Sequence, residues 1–137
     1  MRKIMIVDDN YLSAEGIEKN IDLEVLNAEI VHICYNGTSA IDAMKKEPVD
    51  LIISDIEMPD LDGISMSRQA LDINPMVKII LISAYDKFEY ARRALLLGAL
   101  DYIEKPLDYA YLIQKVKNAF ALMEKEHKNL QLLKQSR

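Results

Sequence analysis

The chain has 137 residues, of which 50% are hydrophobic and 28% are charged, and its formal net charge is −5 at pH 7. This composition is typical of one globular domain and excludes a disordered chain, and no apolar stretch approaches the roughly 20 residues that a membrane span requires. The basic residues are scattered along the sequence, which argues against direct binding of this chain to a nucleic-acid backbone. The single cysteine, Cys34, excludes an internal disulfide.

The first half of the chain alternates apolar runs with segments of helical period. A signal peptide is not expected at the N-terminus, because its apolar run stops at two aspartates without a cleavage site, so we expect a cytoplasmic protein. Asn36 is a predicted N-cap. Strands are predicted at 3–7, 28–35 and 51–54, and helices at 11–21 and from Asn36 to before Pro48.

The second half continues the alternation. Residues 55–63 are predicted to form a loop, because Pro59 and Gly63 interrupt any regular element. Gly98 is a predicted helix C-cap. Helices are predicted at 64–73, from about Phe88 to Gly98, and from residue 107 or 108 almost to the terminus, with strands at 78–82 and 100–104.

Five successive strand–helix units predict an α/β fold. Right-handed crossovers place helices on both faces of one parallel sheet, which makes a three-layer sandwich. In such sheets, ligands bind outside the carboxyl ends of the strands, where the strand order reverses. The loops after the first and third strands are candidates to flank that point.

Polar residues follow the apolar runs at these strand ends. Asp8 and Asp9 follow the first strand and Asp55 the third, while Ser83 and Lys105 follow the fourth and fifth. Carboxylates brought this close repel each other unless a cation lies among them, and Mg²⁺ prefers oxygen ligands. The sequence therefore predicts a Mg²⁺ site.

The same residues suggest phosphoryl chemistry. Lys105 can pair with phosphoryl oxygens and the Ser83 hydroxyl can donate a hydrogen bond to one of them. Asp55, alone at the end of a central strand, is the predicted nucleophile, because carboxylates form aspartyl-phosphate intermediates.

These residues resemble the response-regulator receiver domain of two-component signalling over positions 1 to about 122. The resemblance rests on the ordered set Asp8-Asp9-Asn10, Asp55 through Gly63, Ser83-Ala84, Tyr102 and Lys105-Pro106. It implies a flavodoxin-like (βα)5 fold with strand order 2-1-3-4-5. It also implies a phosphoprotein whose Asp55 accepts a phosphoryl group from a sensor histidine kinase, and which is not an enzyme beyond its own phosphorylation and dephosphorylation.

The resemblance also assigns the metal ligands. Asp9 and Asp55 would bind Mg²⁺ directly, Asp8 through a water molecule, and Glu57 through its backbone carbonyl. We add the hypothesis that the side chains of Glu57 and Tyr85 tune the lifetime of the phosphorylated state.

The resemblance assigns the switch residues as well. Ser83 and Lys105 would contact the phosphoryl group, and Tyr102 would move inward as Ser83 shifts. A cis peptide bond is implied between Lys105 and Pro106.

The segment from Ser83 to Ala91 is similar to receivers fused to AraC-type DNA-binding domains. It implies transcription regulation through an output domain outside this chain, DNA contact only through that domain, and a homodimer formed on phosphorylation. Residues 1–122 would then be the receiver domain, and residues 123–137 an extension of the last helix.

The extended last helix carries an apolar stripe. Its members recur at spacings of three and four residues, and His127 interrupts them: Leu112, Val116, Phe120, Met123, His127, Leu130 and Leu133. Residues 123–137 are either a short coiled coil or an amphipathic linker.

Two other functions remain open at this point. One is a stand-alone phosphorelay or protein-binding receiver. The other is a Mg²⁺-dependent phosphohydrolase with an aspartyl nucleophile, although hydrolases resembling haloacid dehalogenases carry that nucleophile after their first strand.

Overall fold

The structure, a computed structural model, describes residues 1–84 and 88–136, without the side chain of Phe88. Within these ranges five strands alternate with six helices. The strands are β1 (Arg2–Val7), β2 (Ala28–Cys34), β3 (Leu51–Asp55), β4 (Lys78–Ser83) and β5 (Asp101–Glu104). The helices are α1 (Tyr11–Asn20), α2 (Leu23–Leu26), α3 (Gly37–Lys46), α4 (Gly63–Ile73), α5 (Phe88–Leu97) and α6 (Tyr109–Gln135).

The five strands form one parallel sheet in the order β2-β1-β3-β4-β5. This order confirms the predicted α/β architecture. The order reverses between β1 and β3, which are hydrogen-bonded neighbours from Ile4 and Leu51 to Val7 and Ser54. Residues that follow β1 and β3 therefore meet at the carboxyl edge of the sheet.

Both faces of the sheet are buried, because successive side chains along each strand point to opposite faces. On one face Met5, Ile52 and Ile79 pack with residues of α3 and α4. On the other face Ile4 and Ile53 pack with residues of α1 and α6. The central strand β3 is buried along its whole length, as its continuous apolar sequence predicted.

Local capping signals mark one helix start and one helix end where the sequence predicted them. Asn36 caps α3 by accepting a hydrogen bond from Ser39 N at 2.7 Å. Gly98 follows α5 with φ of 93°, a left-handed conformation that suits glycine.

The short helix α2 was not predicted. Asp22 caps it by accepting a hydrogen bond from Val25 N at 3.1 Å, and Asn27 ends it with φ of 49°. A single turn shows too few apolar positions for a helical period to emerge, although the Asp22 and Asn27 caps are visible in the sequence.

Helix α6 is 27 residues long and extends beyond the sheet. Its face from Leu112 to Met123 is buried, whereas Leu130 is 47% exposed. An ion pair of 2.7 Å between Lys78 Nζ and Glu126 Oε1 holds the helix to the start of β4. No helix of the described residues is long and apolar enough to cross a membrane.

Candidate functional site

Three carboxylates meet where the strand order reverses. Asp8 and Asp9 follow β1, and Asp55 is the last residue of β3. One carboxylate oxygen of each lies within 4.8 Å of the other two. Asp8 and Asp55 are only 3% and 8% exposed, while Asp9 is exposed. The predicted cluster therefore forms, with two members buried and the third open to solvent.

Lys105 brings a positive charge to the cluster. It follows β5, and its Nζ lies 3.8 Å from Asp8 Oδ2 and 3.7 Å from Asp55 Oδ2. Its backbone N–H donates to the carbonyl of Ser83 at 2.8 Å, which ties the ends of β4 and β5 together. The Lys105–Pro106 peptide bond is cis.

Burial dominates the titration of the two inner carboxyls. Loss of solvent raises the pKa of Asp55 to about 6, although the Lys105 ammonium opposes the rise. Burial also raises the pKa of Asp8, against the effect of a hydrogen bond of 2.9 Å from Asn10 N to Asp8 Oδ1. Without a bound cation, the negative charge of the three carboxylates therefore exceeds the positive charge of Lys105.

The loop after β3 is held tightly at both ends. Ile56 N donates to the carbonyl of Ile82 at 2.9 Å, and Gly63 N donates to the carbonyl of Ile56 at 2.7 Å. A side chain at Gly63 would collide with the backbone of Asp55 and Ile56. The glycine that the sequence suggested as a loop signal thus lets α4 begin directly against the end of β3.

Two aspartates of this loop cap helices. Asp62 Oδ1 accepts from Ser65 N at 2.7 Å at the start of α4. Asp60 accepts from Thr38 N at 3.1 Å at the start of α3, and hydrogen bonding, first of all with the Thr38 side chain, lowers the pKa of Asp60 to about 2. Asn10 likewise caps α1, by accepting from Leu12 N and Ser13 N. The sequence analysis gave none of these three residues a capping role. Asp62 and Asn10 directly precede their helices and are recognisable cap signals, whereas Asp60 is distant in the chain from α3.

Glu57 lies beside a cavity of about 520 Å³. Its Oε1 is buried, and within the described part of the chain it has no hydrogen-bond partner. The cavity is lined by Asp9, Ile56, Glu57, Met58, Pro59, Asp62, Tyr90 and Arg93.

The remaining predicted residues lie on the neighbouring strands. Ser83 is fully buried at the end of β4, beside the site. Tyr102 is half-buried in β5, in register with Leu81, and packs against the core beneath α3, α4 and α5. Tyr85, proposed to tune the lifetime, lies outside the described residues.

The donor set suits a hard divalent cation. Three carboxylates converge, two of them are buried, and the charge of Lys105 does not balance them. Mg²⁺ takes such oxygen ligands and tolerates the open side at Asp9, where water can complete its coordination. The residues present therefore fit Mg²⁺.

Comparisons with known proteins identify the type of domain to which this chain belongs. The response regulator receiver domain matches residues 4–117. YesN of Bacillus subtilis, an uncharacterized transcriptional regulatory protein, is 27% identical over 126 residues, which are 92% of this chain but only 34% of YesN. The chain thus spans about a third of that relative's length.

Two solved structures show the same fold. A two-component transcriptional regulator AraC from Clostridium phytofermentans is 28% identical, with a TM-score of 0.86 over 93% of this chain and 98% of that chain. A chain of the CheX-CheY-BeF3-Mg²⁺ complex from Borrelia burgdorferi is 27% identical, with a TM-score of 0.78 over 87% of this chain and 89% of that chain.

Proposed function

Because this chain belongs to the family of response regulator receiver domains, we propose that it is a phosphorylation-dependent signalling switch. Asp55 accepts the phosphoryl group, a sensor histidine kinase donates it, and Mg²⁺ is required. The observation that carries the proposal is the convergence of Asp8, Asp9, Asp55 and Lys105 at the carboxyl edge of the sheet.

We assign the acceptor role to Asp55 because it ends β3, the central strand of the sheet, beside the other charged groups. It is within 4.8 Å of both other carboxylates and 3.7 Å from the Lys105 ammonium. A pKa of about 6 leaves its carboxylate mostly ionised at pH 7, as a nucleophile requires.

Asp9 and Asp55 would hold Mg²⁺ directly, with Asp8 acting through water and Glu57 through its backbone carbonyl. The bound cation supplies positive charge that offsets the carboxylates and the arriving phosphoryl oxygens. A chain of similar fold is described in complex with BeF3 and Mg²⁺, which supports a role for Mg²⁺ in this fold.

In the transfer, an Asp55 carboxylate oxygen forms a bond to phosphorus while the bond from phosphorus to the kinase histidine nitrogen breaks. The electron pair of that bond stays on the imidazole. Lys105 pairs with a phosphoryl oxygen, and the Ser83 hydroxyl donates a hydrogen bond to another. Hydrolysis of the acyl phosphate later returns Asp55 and inorganic phosphate, so the protein does not turn over external phosphoesters.

The conformational change then extends from the end of β4 to β5. Ser83 moves toward the phosphoryl group, and Tyr102 on the neighbouring strand fills the vacated space, because Ser83 and Tyr102 lie on adjacent strands. The surface formed by α5, β5 and the start of α6 changes as a result.

The output that we propose is transcription. Support comes from the similarity to the AraC regulator and from YesN, of which the chain covers only 34%. Residues 123–137 would connect the receiver to an output domain that contacts DNA, and phosphorylation would promote a homodimer. The site of action is the cytoplasm.

The test is Mg²⁺-dependent labelling with a small phosphodonor such as acetyl phosphate. We expect about one phosphoryl group per chain in the wild type, none in Asp55→Asn, and none when EDTA removes Mg²⁺. Intact-mass measurement reads the stoichiometry, and Asp42→Asn, which changes an exposed aspartate of α3, is the matched control.

Two results would contradict this proposal. Labelling that survives Asp55→Asn would refute the assignment of Asp55 as the acceptor, and repeated hydrolysis of many phosphoesters would identify a phosphohydrolase instead.

The decay of the labelled protein tests the tuning role that we propose for Glu57 and Tyr85. If Glu57→Asn left autodephosphorylation unchanged, that role would be wrong for Glu57.

A further inference from the structure

Glu57 and Arg93 line the same cavity of about 520 Å³ beside the proposed acceptor. Glu57 Oε1 is buried without a hydrogen-bond partner, and Arg93 forms no ion pair with any residue in the described ranges. A buried carboxylate oxygen without a partner is unfavourable, and a guanidinium is the side chain best suited to pair with it. Glu57 and Arg93, which carry opposite charges, therefore line one cavity without forming an ion pair.

The other charged groups nearby are already engaged. Asp62 caps α4 through Ser65 N at 2.7 Å, and Asp9 belongs to the carboxylate cluster. On α5, the neighbouring Arg92 pairs with Glu89 at 3.2 Å. Among the charged residues that line the cavity, this leaves Glu57 and Arg93 as the uncommitted pair.

Phosphorylation of Asp55 changes the balance between them. The phosphorylated side chain carries about −1.5 to −2 charges, in place of the single charge of the ionised Asp55 carboxylate, and it lies two residues before Glu57. Because the surroundings of Glu57 Oε1 are shielded from water, the added charge raises the electrostatic energy of its carboxylate more than it would in solution. An ion pair with Arg93 offsets that repulsion, and both side chains are long enough to change rotamer within a cavity of this size.

We propose that Arg93 is a positioning residue that pairs with Glu57 in the phosphorylated state and draws α5 toward the loop that follows Asp55. Arg93 acts through Glu57 and not on the reacting atoms. The inference rests on the proposed function, since it needs a phosphoryl group at Asp55. It identifies α5 as the element that senses the charge of that group directly, separately from Ser83 and Tyr102.

The test is a double-mutant cycle with Glu57→Gln and Arg93→Gln, measured in two states. BeF3 with saturating Mg²⁺ serves as the phosphoryl analogue, and its apparent dissociation constant is read by titration of tyrosine fluorescence. We expect Arg93→Gln to weaken BeF3 binding, because it leaves the Glu57 carboxylate unpaired beside the added charge. The same change should have little effect in the Glu57→Gln background, where the Glu57 charge is gone. The coupling should be about two- to fivefold in the dissociation constant, the size that a partly exposed ion pair contributes. Thermal melts of the free protein should show additive effects.

Matched variants separate an ion pair from a general packing effect. Arg92→Gln changes the adjacent arginine, which is engaged with Glu89, and should show no coupling to Glu57. Arg93→Lys keeps the positive charge and should recover part of the affinity for BeF3. Additive effects in the BeF3 state, or equal coupling in both states, would overturn the inference while leaving the proposed function intact. A wild-type protein that binds no BeF3 and takes up no phosphoryl group would overturn both.

Discussion

Burial makes the negative charge of Asp55 unfavourable in the metal-free domain. The side chain is 8% exposed, and burial raises its pKa from an ordinary value of 3.8 to about 6. Because the folded domain holds the proton more tightly than the unfolded chain, the carboxyl stabilises the fold most at pH below 3.8. That contribution is lost as the pH rises through 6, so the ionised group is destabilising at pH 8.

We therefore expect Asp55→Asn to stabilise the metal-free domain at pH 8. The expected gain in the free energy of unfolding is on the order of 1–3 kcal/mol, because the Asn side chain carries no charge to desolvate. The gain should shrink as the pH falls from 8 to 5. Denaturant unfolding in EDTA at the two pH values measures it, and a gain of equal size at both would contradict a charge-based origin.

At the scale of single elements, Gly63 sets the distance between β3 and α4. A Cβ at this position would collide with the backbone of Asp55 and Ile56, which cannot move without shifting the proposed acceptor. Gly16 on α1 offers a contrast, because a Cβ there would meet the hydroxyl of Tyr109, the far end of a flexible side chain.

We expect Gly63→Ala to lower the free energy of unfolding by about 1–3 kcal/mol, the usual result of overpacking, and also to weaken BeF3 uptake. Gly16→Ala should change stability by less than about 1 kcal/mol, since the gain in helix propensity offsets the displacement of Tyr109. Urea unfolding and BeF3 titration of both variants test this. Equal losses in the two variants would show that close contact with the Asp55 backbone is not the cause.

At the scale of the whole molecule, one apolar face of helix α6 is buried in the domain along its first part and exposed to solvent along its last part. From Leu112 to Met123 this face packs on the sheet, and the same seven-residue spacing continues from Val116 and Met123 to Leu130. Leu130 and Leu133 are 47% and 65% exposed. An apolar stripe that continues past its own domain is typical of a helix that pairs with another.

We expect this extension to contribute to the proposed homodimer. Changing Leu130→Glu and Leu133→Glu together should weaken dimerisation in BeF3 and Mg²⁺ by about tenfold or more, because each change buries a charge at the pairing stripe. Leu132→Glu is the matched control, since Leu132 is 62% exposed but lies off that stripe. Sedimentation velocity reads the result. A dimer unaffected by the double change would assign pairing to another surface and favour the linker interpretation of residues 123–137.

Local sequence signals predicted the fold of this protein and the residues that converge at its candidate site. The alternation of apolar runs and helical periods predicted the fold, and Asn36 and Gly98 predicted helix ends, because capping depends on neighbouring residues. The polar strand ends predicted which residues converge, because parallel strands all deliver their carboxyl ends to one edge.

Only the tertiary structure decided how these residues are surrounded. It buries Asp8 and Asp55 while leaving Asp9 exposed, and it brings Glu57 and Arg93 to one cavity although 36 positions separate them in the chain. Burial and the sharing of a cavity depend on how elements distant in sequence pack together. The sequence of either element alone does not predict that packing. The sequence by itself therefore determined which groups converge at the candidate site, and the packing determined how deeply each is buried and which groups lie beside it.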